Sequence, residues 1–194
     1  MPKFTYFFKN VILRDVQNQV GKNDSSLPRL DKIIVHFSFM PNFFKNAKVL
    51  PFCLFVLEYL TGQKAVFSFS KKDVAVWRLR KKQLVSIYTT LRGTIIINFL
   101  EKFLFTFLIK NKSFKVSSLQ NNAVVYEVQN FITFSELERE SINLVKANAS
   151  FKNYRLRIIV VFTEISKQQD ASSFFLNSFQ FPTQSVKLNA VFFS

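Results

Sequence analysis

One cysteine, one histidine and three glycines in 194 residues leave little room for several kinds of chemistry. Cys53 has no second thiol to pair with and lies inside an apolar run, so it is expected to be a buried structural thiol. With His36 the only imidazole, the Cys/His zinc patterns and two-histidine metal sites are excluded. Gly21, Gly62 and Gly93 stand far apart, and neither GxxxxGK[ST] nor GxGxxG occurs, so no loop of inward-turned amides is available to hold nucleotide phosphates. The densest carboxylates, Glu136, Glu138 and Glu140, fall in a polar, helix-compatible stretch without a basic catalytic partner and are read as surface charge. No enzyme, metal or cofactor is expected. Long apolar runs are lacking too. Val49 to Leu57 is interrupted by Pro51 and falls well short of the roughly 20 residues that cross a bilayer. The opening MPKFTYFFKNVILRD has neither a small-residue cleavage site nor Arg/Ser-rich character, and it is expected to be part of the mature protein.

Basic and aromatic residues are what the chain does have. Lys and Arg number 27 against 12 acidic residues, a net charge of +15 that attracts polyanions, whether nucleic acid or an anionic membrane surface. The residues are 48% hydrophobic, with 26 Phe, enough apolar surface for a core, so this is not a disordered basic tail. The length suits one domain with terminal extensions. Abundant Phe, Ile, Lys and Asn is the bias of a very AT-rich genome and hints at an organellar gene, for which no targeting segment would be required.

Along the chain, turn formers GKNDSS close an N-terminal arm at residues 1–26, and a body at 27–165 follows. Lys32 to Phe39 is expected to be a strand. From residue 43 the apolar positions 43, 47, 50, 54, 57 and 60 recur at helical spacing up to Gly62, with Pro51 opening the longer of two helical pieces. Ala65–Ser70 and Leu84–Leu91 read as strands, and a helix with apolar positions 96, 97, 100, 103, 104, 107 and 108 follows Gly93 to about Lys110. NAVVYEVQNF and YRLRIIVVFTE are strand-like, and SELERESINLVKAN between them is a helix that Ser135 and Glu138 could cap. Residues 166–194 lose periodicity and are read as an extension that packs on a partner or stays loosely ordered, removable without loss of the body. The pattern predicts a two-layer α+β fold, its mixed or antiparallel sheet covered by helices on one face.

Gln63 to Arg92 holds eight cations, Lys64, Lys71, Lys72, Arg78, Arg80, Lys81, Lys82 and Arg92, against the single acid Asp73. They surround Trp77, the only tryptophan, as cations and aromatics do where phosphates and bases are bound. Repulsion among them predicts a loop from Lys71 to Lys82 that orders only beside RNA.

In order, PRLDKIIVHFS, LEYLTGQKAVFSFSKKDVAVWRLRKKQ, YTTLRGTIIINFLEKFL, FITFSELE and RLRIIVVFTE resemble one family over about residues 4–165. It is the large-subunit ribosomal protein L-five family, which binds 5S rRNA in the central protuberance. Thr61-Gly62-Gln63-Lys64 and Thr90-Leu91-Arg92-Gly93, joined by a basic loop, are the most specific pieces. The resemblance implies that the free sheet face grips rRNA, with Gln63, Lys64, Thr90, Arg92 and the first strand at His36 taking part. It also implies that Lys71, Lys72, Trp77, Arg78, Arg80, Lys81 and Lys82 form a loop reaching the peptidyl-site tRNA. A small-subunit head protein would be a further partner, and the protein would be a structural constituent of a mitochondrial ribosome, encoded in the organelle. The sequence departs from the family where His36-Phe37-Ser38-Phe39-Met40 replaces an Asn and a glycine-rich turn, and where Lys/Asn/Ser fills residues 111–122. The rival readings are a peripheral protein that binds anionic lipid through basic and Phe-rich surfaces, and an RNA-modifying enzyme.

Overall fold

Alternation sets the first strand. In β1 (Leu30–Ser38), Ile33, Val35 and Phe37 are fully buried while Ile34 and His36 between them are half-buried, so the strand has a core face and an open face. In the computed structural model the described residues are 30–39, 49–104, 115–120, 123–128 and 155–163, with scattered positions in 6–18 and 131–137; β4 is described by its backbone alone. The expected first helical piece, from Phe43 to the break at 48–51, lies almost wholly outside them, as do the capping Ser135 and Glu138 and the extension at 166–194.

Helix α1 (Val49–Thr61) carries Pro51 in its first turn, where no intrahelical N–H bond is needed. It ends as its sequence predicts. Gly62 takes a left-handed conformation (φ 67°) and its N–H donates to the Glu58 carbonyl at 2.8 Å. The buried face differs from the expected one. Val49, Phe52, Cys53, Val56, Leu57 and Leu60 are buried, whereas Leu50 and Leu54 lie at its margin. The helix is apolar nearly all round, so spacing alone could not choose the face.

Strands β2 (Val66–Phe69) and β3 (Leu84–Leu91) form an antiparallel hairpin, and α2 (Thr94–Lys102) follows Gly93. Ile96, Ile97, Phe99, Leu100 and then Phe103 are buried, with Asn98 and Lys102 exposed, close to the expected face. Strand β5 (Ala123–Val128) and β6 (Leu156–Phe162) alternate as β1 does. No strand is expected at Lys115–Gln120, yet it forms β4 by pairing with β5. KVSSLQ has no clean alternation, so its pairing partner and not its own pattern makes it a strand.

The six strands lie in the order β2-β3-β1-β6-β5-β4, every neighbouring pair antiparallel, so the α+β expectation holds in its antiparallel form. Helix α1 packs on β3 and β1. Phe103 reaches Tyr126 of β5 edge-on at 5.6 Å, which puts the end of α2 over the same face. Glu136, expected as plain surface charge, is half-buried and accepts from Lys102 Nζ at 2.7 Å.

One core-facing hydroxyl stands out. Thr89 is buried opposite Val35, and its Oγ1 has no hydrogen-bond partner among the described residues. Thr89→Val replaces an unsatisfied hydroxyl by a methyl of similar size, and we expect stability to rise by about 1 kcal/mol. A lower urea midpoint for the variant would contradict this.

Candidate nucleic-acid interface

The strand order assembles the open face from residues far apart in sequence. The registers place Thr90, Ile34, Ile159 and Val125 in one row across β3, β1, β6 and β5, and Tyr88, His36, Arg157 and Glu127 in the next. Both rows alternate with core positions. Glu127 accepts from Arg157 Nε at 2.8 Å and from the neighbouring Arg155 Nη1 at 3.5 Å, so the one cation of the second row is already paired. Burial, and then the Arg157 guanidinium, hold the His36 pKa below its ordinary value, with Glu127 opposing them. His36 is therefore neutral at neutral pH. Alternation in the sequence could have pointed to Ile34, Ile159 and Arg157, but not to their adjacency.

Positive charge lies instead at the two ends of the β2–β3 hairpin. At one end Gln63 and Lys64 precede β2 and Arg92 follows β3, with Thr90 on the open face beside Ile34. Gln63 is held by the helix end, its N–H donating to Thr61 Oγ1 at 3.4 Å, while Lys64 is exposed. The Arg92 guanidinium is exposed yet 3.6 Å from Asp31, so part of its charge is already matched. Nothing in the motif itself signals that partner.

At the other end, Lys71, Lys72, Arg78, Arg80, Lys81 and Lys82 are all exposed, and none of them forms an ion pair among the described residues. The structure differs here from the expected unordered loop. Val74 and Leu79 exchange two backbone hydrogen bonds of 2.9 and 3.1 Å across a 3-10 turn at Ala75–Trp77. Asp73 Oδ1 accepts the Lys81 N–H at 2.6 Å, Gln83 Oε1 accepts the Arg80 N–H at 2.9 Å, and Ser70 Oγ donates to the Lys72 carbonyl at 2.6 Å. Arg78 and Lys82 adopt left-handed backbone (φ 52° and 62°), which costs a non-glycine residue roughly 1 kcal/mol and is retained by these bonds. The lone acid and two polar neighbours satisfy the backbone, so the charges are carried on a built tip. Six residue steps along β3 lead from Leu84 to Thr90, which puts the two basic ends about 20 Å apart.

The arrangement offers cations and rings, not reactive groups. Cys53 is buried in α1, and burial pushes its thiol up to about 12, far from thiolate chemistry. No group of three His, Cys, Asp or Glu among the described residues could hold a metal ion, and no helix among them is long and apolar enough to cross a membrane.

No family model matches the chain. Curated proteins do. One from Helicobacter hepaticus is 30% identical over 109 residues, 56% of this chain and 60% of that protein, and bears the name large ribosomal subunit protein uL5. The likeness is to uL5. A Pleurastrum terricola uL5c is 29% identical over 116 residues, 60% of this chain and 62% of its own. A Reclinomonas americana uL5m is 27% identical over 164 residues, 82% of this chain and 85% of its own. The chain thus spans less than two thirds of the first two relatives and most of the third. The uL5m match is comparable in extent to the stretch at 4–165 that carries the motifs.

His36 gives a test that needs no ligand. A histidine whose folded pKa is lowered contributes stability that is complete above its unfolded value of about 6.5 and is lost as pH falls from there through the folded value. His36→Gln should remove this part of the pH dependence, flattening the fall of the urea midpoint as pH drops below about 6.5. Parallel profiles for parent and variant would refute the assignment.

Proposed function

We propose that this chain is a uL5-type structural constituent, without catalytic activity, of the large subunit of an organellar ribosome, most simply a mitochondrial one. The likeness to uL5m over 82% of the chain carries the reading. In it, residues 27–165 are the RNA-binding body between an arm at 1–26 and an extension at 166–194. Gln63, Lys64, Thr90 and Arg92, with His36 on the open face, bind rRNA of the central protuberance, 5S or its neighbourhood. Because the centre of that face is apolar or ion-paired, contact there rests on shape and on the rings of Tyr88 and His36, and phosphate pairing falls to the hairpin ends. Lys71, Lys72, Trp77, Arg78, Arg80, Lys81 and Lys82 at the built tip reach the peptidyl-site tRNA, and a protein of the small-subunit head is a further neighbour. The names uL5m and uL5c make the plastid the alternative location.

The test is sedimentation of lysates from purified organelles. The chain should travel with large ribosomal subunits of mitochondria; plastid subunits would move the location, and absence from both would end the reading. Arg92→Ala should weaken binding to an rRNA fragment and flatten the log-affinity against log-salt slope by about 0.7–0.9 while leaving cooperative unfolding intact. An unchanged slope would remove Arg92 from the interface.

A further inference from the structure

Strand β2 closes one edge of the sheet, and its outward backbone groups pair with nothing among the described residues. Exposed edges are ordinarily guarded by charge, proline or a distortion. Val66–Phe69 contains no charge and no proline, and its one register shift, between Ser68 and Phe69, leaves Val66 to Ser68 regular. Its apolar side chains are open. Val66 is 50% exposed, Phe67 42% and Phe69 56%, the two rings stacked with centroids 6.4 Å apart. Phe67 pairs with core-facing Ile87 and so faces the helix side, yet α1 packs on β3 and β1 and leaves the ring exposed. A regular, apolar edge that no described residue covers is a surface for another strand.

Charge selects the occupant. Lys64 lies before β2 and Lys71 and Lys72 after it, bracketing the strand over about 20–25 Å. Neither nearby carboxylate forms an ion pair with these lysines; Glu58 accepts the Ala65 N–H at 3.1 Å and Asp73 the Lys81 N–H at 2.6 Å. A second copy of this chain would bring these lysines against their own counterparts. RNA could neutralise them but has no strand-spaced alternation of donors and acceptors to complete the ladder. We propose that the β2 edge receives an extended segment of another protein as a seventh strand, its apolar residues on Phe67 and Phe69 and its acidic residues at Lys64 and at Lys71 and Lys72. This interface does not rest on the RNA-binding reading: its apolar contacts at Phe67 and Phe69 lie outside that reading, and it shares with it only the flanking Lys64, Lys71 and Lys72.

The experiment places a photo-reactive benzoylphenylalanine at position 69 of the full chain and irradiates whole organelles before fractionation. The expected product joins this chain to a net-acidic segment of a different protein, identified by mass spectrometry. A synthetic peptide of that segment should bind the isolated chain in a salt-sensitive way, about tenfold more weakly in Phe67→Thr/Phe69→Thr, whose neutral, strand-compatible side chains preserve the fold. Binding of an rRNA fragment should be the same for parent and variant. A crosslink to RNA, to a second copy or to no macromolecule overturns the proposal, as does a peptide that binds both forms equally. Any of these outcomes in a chain that still sediments with large subunits leaves the ribosomal reading standing, whereas lost sedimentation with the peptide crosslink intact removes only that reading.

Discussion

Replacing Arg78, Arg80, Lys81 and Lys82 together with alanine should reduce tRNA occupancy of the ribosome strongly while sparing incorporation of the protein into the subunit. Four lost phosphate contacts would lower the log-affinity against log-salt slope by about 3, and the loss of affinity would be greatest at low salt. The fold of the tip should survive, because Asp73 and Gln83 hold the backbone N–H groups of Lys81 and Arg80, which alanine keeps. Gln63, Lys64, Thr90 and Arg92, about 20 Å away along the hairpin, are untouched. Measuring subunit incorporation and tRNA retention on the same particles separates the two ends. Failure to assemble would put the tip on rRNA instead.

Phe37→Ala should be the most damaging single core change. Phe37 sits in the central strand β1 between β3 and β6, is fully buried, and meets the Phe131 ring edge-on at 5.3 Å. Truncation leaves a cavity between sheet and covering layer that rigid neighbours fill only in part, at a cost of about 3–5 kcal/mol. Domains of this size are commonly stable by only about 5–15 kcal/mol, so the variant should unfold at markedly lower urea. A loss under about 1 kcal/mol would mean that the centre of β1 is not where the core lies.

Features carried by residues adjacent in the chain are legible in the sequence itself. Pro51 and Gly62 mark the ends of α1, the β-branched run in YRLRIIVVFTE marks β6, and the motifs around Gly62 and Gly93 with the basic loop between them point to the family that the curated relatives bear by name. Each rests on local chemistry, a fixed φ, a left-handed turn or a β-branched composition, which a short window of sequence contains.

Tertiary structure decided what depends on register. Arg92 meets Asp31, and Arg157 meets Glu127 beside His36, only because β1 lies between β3 and β6 and β5 lies beyond β6. The sequence therefore determined how much charge the hairpin carries, and the fold determined which of it is free. Charge counting predicts a disordered loop because repulsion is visible in composition, whereas the hydrogen bonds of Asp73 and Gln83 that oppose it depend on backbone geometry. Strand β4 and the β2 edge that no described residue covers at Phe67 and Phe69 belong with these. Whether a polar stretch becomes a strand, or an apolar strand stays exposed, is settled by what packs or pairs beside it, and neighbours in space are not neighbours in sequence.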